Sequence, residues 1–184
     1  MVAEYLEFDR RSDYKNEYFD GQIFMMAGAS PDHNLIQTSL VSALYARIRG
    51  KGCTVYGSDM RVKVRATESY AYPDLSLVCG RAVYEFSQPA TLLNLKIIFE
   101  ILSPSSERKD RVTKLRHYRE IESLTDYVVI SQSGYHIQHY SKDADADWLG
   151  MELVGPGASL TIRDLDCRIG LVEIYEQCEW SNET

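Results

Sequence analysis

The sequence predicts a mixed α/β (α+β) domain: a central mixed β-sheet flanked by helices, with an N-terminal hairpin and a C-terminal β extension. Three observations carry this. Asp20-Gly21 sits between two short β-type runs, and an Asp-Gly pair suits the tight two-residue hairpin turn because both central positions want positive φ. Leu35, Ile36, Leu40, Ala43, Leu44 and Ile48 recur at helical spacing behind Ser30-Pro31, the residues expected at a helix cap and first turn. Leu95 to Leu102 is almost continuously apolar, as in a central strand covered on both faces.

At 184 residues the chain suits one domain with a full core. We read residues 1–184 as that domain, with a core of about 17–140 and a β extension of about 141–178. No apolar run approaches the roughly 18 to 20 residues that span a bilayer. The acidic start, Met1 to Arg11, is unlike a signal peptide. The expected location is the cytoplasm, with no membrane contact. The four cysteines, Cys53, Cys79, Cys167 and Cys178, show no CxxC spacing. Free buried thiols are expected, with disulfides or zinc as the alternatives.

The net charge of −7 argues against a polyanionic partner. Its distribution argues the other way: between Arg47 and Arg119 there are 14 Lys and Arg against 7 Asp and Glu. A solvated mixed surface explains this as readily as a nucleic-acid footprint.

In chain order, residues 1–20 read as polar and partly ordered, and the hairpin runs from Glu17 to Met26. A helix follows from Ser30 and stops at Gly50 and Gly52. Cys53 to Arg65 reads as a strand region in which Val62 and Val64 face inward and Arg61, Lys63 and Arg65 form a basic outer face. Tyr72 to Cys79 is a second strand, and Gly80 to Leu93 a loop. After the Leu95–Leu102 strand, Ser106 to Ile121 reads as a helix. Its apolar face is Leu115, Tyr118 and Ile121, with Lys114 at the edge. Thr125 to Ser131 is the next strand, parallel to its predecessor through a right-handed crossover. Tyr135 to Tyr140, Trp148 to Val154, Leu160 to Ile162 and Leu171 to Tyr175 complete the chain.

Glu100 lies inside the most apolar strand, where a carboxylate needs a partner or a metal. Asp74 ends a neighbouring strand. Two such carboxylates are the ligands that a hard divalent cation prefers, and a nearby ammonium suits phosphodiester hydrolysis. Lys114 fits that last role, because a long side chain at a helix edge can bury its stem and aim its amine along the sheet. Glu17 and His33 are further candidates. Asp110 and Tyr118 are read as supports of the helix, and Gln132 as an outer neighbour of the site. Each has a plainer reading: Asp74 as a turn aspartate, Glu100 as a core acid paired with arginine, Lys114 and Glu17 as solvated side chains, His33 as a helix-start histidine. His136 and His139, three apart on a strand, make a poor metal pair.

The ordered set Asp20-Gly21, Met25-Met26-Ala27-Gly28-Ala29-Ser30, His33, Tyr72-Pro73-Asp74 and Glu100-Ile101-Leu102-Ser103-Pro104-Ser105-Ser106, continued by Asp110-Arg111, Lys114, Tyr118 and Leu124-Thr125-Asp126-Tyr127, resembles the Uma-type restriction endonucleases. That family, formerly a domain of unknown function, is a branch of the PD-(D/E)XK nuclease superfamily. The resemblance covers about Glu17 to Tyr175. It implies a restriction-endonuclease-like core and a Mg²⁺- or Mn²⁺-dependent DNA endonuclease. In that reading Asp74 and Glu100 bind metal, Lys114 assists the attacking water, and the chain forms a homodimer. One departure stands out. The superfamily's simplest pattern has lysine two residues after the acid, where this chain has Leu102; Lys114 on the following helix takes its place. A catalytically degenerate nuclease-fold protein that binds nucleic acid or a protein partner is the rival reading. A metal site acting on another phosphate ester is a third.

Overall fold

The computed structural model describes residues 1–26, 28–86, 89–103 and 109–180, and only the backbone of Lys109 and Asp110. Ala27, the Pro104-Ser105-Ser106 end of the acidic-strand motif and the Asp110 side chain therefore lie outside the described residues.

The chain opens with helix α1 (Val2–Arg11), then the hairpin β1 (Asn16–Phe19) and β2 (Gln22–Met25), then the long helix α2 (Pro31–Ile48). Next come β3 (Cys53–Gly57), β4 (Arg61–Val64), β5 (Ser69–Ala71), β6 (Leu75–Cys79), β7 (Tyr84–Glu85), β8 (Thr91–Leu92) and β9 (Ile97–Ile101). A π-helical segment, Lys109–Lys114, runs into the short helix α3 (Leu115–Tyr118). The chain then forms β10 (Asp126–Ile130), β11 (His136–Lys142), β12 (Trp148–Val154), β13 (Ser159–Ile162), β14 (Cys167–Gly170) and α4 (Leu171–Ile174).

The central sheet has the order β12-β11-β10-β9-β6-β3. It is mixed, because β9 and β10 pair in parallel while the neighbouring pairs are antiparallel. One face packs on α2 and the C-terminal β13, β14 and α4, burying Leu75, Leu77, Phe99 and Ile101. The other packs on a second sheet, β2-β1-β5-β4-β8-β7, and on α3. Residues alternate between faces along β9: Phe99 and Ile101 point to the α2 side, and Ile98 and Leu102 to the second sheet. Glu100 shares the parity of Ile98 and Leu102, which aims it at the layer holding α3.

The local signals at the hairpin and at α2 hold. Asp20 and Gly21 take φ of 50° and 80°, and the Ser30 side chain accepts from the His33 N–H. Four expectations need correction. Residues 2–11 form a full helix, because Tyr5 and Asp9 are buried against β1 and the residues around it. Cys53 to Arg65 is not one strand: it turns after Gly57, and β3 and β4 enter different sheets. The face carrying Arg61 is covered rather than basic and exposed. Arg61 is fully buried and pairs with Asp9 at 2.9 Å, while Lys63 pairs with Glu85 at 3.2 Å. Cys53 and Cys79 form a disulfide, since the β3–β6 register sets them directly opposite. Cys167 and Cys178 are free. Two smaller differences lie in the connections: Gly80 to Leu93 holds β7 and β8, and the predicted Ser106–Ile121 helix is π-helical from Lys109 to Lys114 and α-helical only from Leu115 to Tyr118. No described helix is long and apolar enough to cross a membrane.

Candidate active site

The β6–β9 register pairs Leu75 with Phe99, so Asp74, one residue before β6, falls opposite Glu100. The Asp74 carboxylate is fixed on two sides. Its Oδ2 accepts from the Ile101 backbone N–H at 2.7 Å, and its Oδ1 lies 3.1 Å from His33 Nε2. Gln37, one turn beyond His33 on α2, donates to the Asp74 carbonyl at 2.9 Å. The helix begun by Ser30 thus brings His33 and Gln37 onto the Tyr72-Pro73-Asp74 turn. His33 Nδ1 is buried without a hydrogen-bond partner among the described residues.

Glu100 is 3% exposed and sits in a second cluster. Its Oε1 accepts from Lys114 Nζ at 2.9 Å and from the Tyr118 hydroxyl at 3.0 Å. Lys114 and Tyr118 are four residues apart, which puts them on one helical face. The same ammonium lies 2.9 Å from Glu17 Oε1. Lys114 is 3% exposed, so the helix delivers it into the protein and not to solvent. Glu17 reaches it because β1 is buried along its whole length, and Glu17 also accepts a long 3.4 Å bond from the Tyr72 N–H. Burial, reinforced by the Glu100 carboxylate, holds the Tyr118 hydroxyl well above its ordinary pKa, so it remains a donor.

The structure therefore gathers Glu100, Lys114, Glu17 and Tyr118 in one cluster and Asp74 with His33 in another, linked through the β6–β9 register. Gln132 stands further out. Its side-chain oxygen accepts from Ser30 Oγ at 2.6 Å, at the cap of the helix that carries His33. A supporting network that the sequence did not reveal lies beneath the site. Asp9 accepts from Arg61, from the Tyr72 hydroxyl at 2.8 Å and from the Asn16 N–H at 3.1 Å. It thereby ties α1 and β4 to the residues next to Asp74 and Glu17. The only signal was an arginine at an alternating strand position, and an unpaired strand pattern does not say what covers it.

Glu17, Asp74, Glu100 and Lys114 carry a formal charge of −2 between them, all within a layer at most 8% exposed. That surplus and two carboxylates at opposed positions of the β6–β9 register suit a hard divalent cation, which takes one or two carboxylates and keeps several waters. Among the described residues no group of three His, Cys, Asp or Glu forms a ready cage. Water or phosphate oxygens would have to complete the coordination shell.

A mixed sheet with an acid at the end of one strand, an acid inside the next and a lysine reaching back from the following helix defines a restriction-endonuclease-like nuclease fold. The fold matches the crystal structure of a "putative nuclease belonging to DUF820" from Anabaena variabilis, with a TM-score of 0.78 over 95% of this chain and 97% of that one, at 15% identity. The chain belongs to the Uma2 family, described as "Putative restriction endonuclease", whose model matches residues 2–169. Two proteins of Synechocystis sp. PCC 6803 are similar over most of their length. They are sll1609, 34% identical over 86% of this chain and 90% of the relative, and slr1290, 36% identical over 79% and 76%.

Proposed function

We propose that the chain is a divalent-metal-dependent DNA endonuclease that hydrolyses phosphodiester bonds with Mg²⁺ or Mn²⁺. The observation that carries this is the Lys114 ammonium, buried against Glu17 and Glu100 on the strand that faces Asp74. A structural ion pair needs no third and fourth acid–base partner at the same sheet end, whereas metal-assisted hydrolysis needs them.

In this reading Asp74 and Glu100 would hold the ion, which would supply Lewis-acid polarisation of the phosphate and activation of water near neutral pH. The Ile101 N–H fixes one Asp74 oxygen, and His33 flanks the other. Tyr118 and Lys114 both hold Glu100 Oε1, which leaves the rest of that carboxylate set in one orientation. Lys114 places a positive charge where an attacking hydroxide and an expanding phosphate accumulate negative charge. DNA as the substrate is supported by the outer side of the same helical segment. There Arg111, Arg116 and Arg119 line an open groove of about 390 Å³, a surface that suits a phosphate backbone despite the acidic whole.

The test is nicking of supercoiled plasmid by the full chain across a Mg²⁺ and Mn²⁺ titration, beside Asp74→Ala and a matched RNA substrate. Metal-dependent nicking lost in Asp74→Ala supports the proposal. Equal cleavage by both proteins overturns it. DNA binding without cleavage at any metal concentration favours the degenerate reading, to which the Leu102 departure and the net charge of −7 point.

A further inference from the structure

We propose that β12 is the seam of a two-fold homodimer, pairing antiparallel with β12 of a second copy about Met151. β12 is an edge of the central sheet. Its bonding to β11 fixes which backbone groups point away. The register sets Met151 opposite His139, and the flanking bonds Gly155 N–H to Tyr135 and Asp143 N–H to Asp147 belong to the same odd-numbered ladder. In an antiparallel ladder, inward and outward bonding alternate residue by residue. Trp148, Gly150, Glu152 and Val154 therefore turn their N–H and C=O outward, and none of these meets a partner among the described residues.

A long edge of this kind is normally blunted by lysine, proline or a bulge. Trp148–Val154 contains neither Lys nor Pro and pairs with β11 without interruption. It is also apolar where it is open: Leu149 and Met151 are each 55% exposed and Val154 68%. Leu149 and Met151 share a face with Leu153, which packs on the α2-side core.

The occupant follows from self-complementarity. Two outward-facing ladders can bond only even residue to even residue. Centred on Met151, Trp148 bonds Val154 of the second copy and Gly150 bonds its Glu152, so every outward group is satisfied. The same register sets Leu149 against the second copy's Leu153, and Met151 against its own counterpart. Centring on Glu152 instead opposes two carboxylates, which is unfavourable, and centring on Gly150 leaves Val154 unpaired. A two-fold contact also closes, using both edges without propagating into a fibre.

Analytical ultracentrifugation of the full chain tests this. The expected mass at tens of micromolar is twice the 21.0 kDa of the chain. Met151→Lys opposes two ammonium groups at the axis and is expected to raise the dissociation constant on the order of tenfold or more, with an unchanged circular dichroism spectrum. Glu152→Pro removes an outward N–H and leaves the β11 ladder intact, so it should dissociate the dimer as well. Met151→Cys reads the register: mild oxidation should crosslink it as a dimer, while Leu149→Cys and wild type should not. Cys53 and Cys79 already bridge this kind of directly opposed cross-strand pair. A wild-type monomer at every concentration, or a dimer unaffected by Met151→Lys and not crosslinked through Met151→Cys, overturns the proposal.

Discussion

Replacing Lys114 by methionine keeps the length of the side chain and removes only the charge that Glu17 and Glu100 share. The three side chains are at most 4% exposed, and both carboxylate contacts measure 2.9 Å. Removing one partner of a buried ion pair costs about 3–5 kcal/mol, because the remaining charge stays desolvated. In a chain of this size that lowers the melting temperature by roughly 6–20 °C. The loss also depends on pH in a definite direction. Without the ammonium, burial and mutual repulsion raise the folded-state pKa of the two carboxyl groups above the unfolded value of about 4.3. A raised pKa gives stability that is present below the unfolded value and lost as pH rises through the folded one. The gap between wild type and Lys114→Met should therefore be small at pH 4 and full at pH 7. Thermal unfolding followed by circular dichroism at the two pH values measures it. A deficit under about 1 kcal/mol at pH 7, or a gap that does not widen from pH 4, would refute the picture of a shared buried ammonium.

Three further outcomes follow from the same structure. Asp9→Ala removes the carboxylate beside the fully buried Arg61 and the acceptor of the Tyr72 hydroxyl; urea unfolding should show a loss of about 3–5 kcal/mol. Burial holds the hydroxyls of Tyr5, Tyr72, Tyr118 and Tyr175 well above their ordinary pKa, and burial with Tyr84 pushes Tyr56 up to about 12. Their contribution is complete below the unfolded value of about 10 and fades above it, so melting temperature should fall from pH 9 to pH 11. Reducing the Cys53–Cys79 bridge frees a loop of sequence separation 26, and denaturant unfolding with and without reductant should differ by about 3 kcal/mol.

What could be read from the sequence divides by the range of the interaction. Asp20-Gly21 and Ser30-Pro31 act on their own neighbours, so the hairpin and the start of α2 were legible. Glu100 announced itself because a carboxylate in an apolar run needs a partner, and the helical spacing of Lys114 and Tyr118 showed which two side chains share a face. What failed depended on pairing between distant segments. The alternation of Arg61 with Val62 gave the right periodicity but not the helix α1 that covers it, since Asp9 is remote in sequence. Cys53 and Cys79 meet only because β3 and β6 take one particular register. The π-helical turn before Lys114 changes the phase of the helix by less than a periodicity count resolves.

Titration calorimetry with Mn²⁺ tests most directly whether Asp74 and Glu100 share one ion. A single site per chain is expected in the wild type, abolished by Asp74→Ala and by Glu100→Ala separately, with both variants still folded by circular dichroism. Binding that survives either substitution unchanged, or a folded wild type that takes up no Mn²⁺, would contradict it.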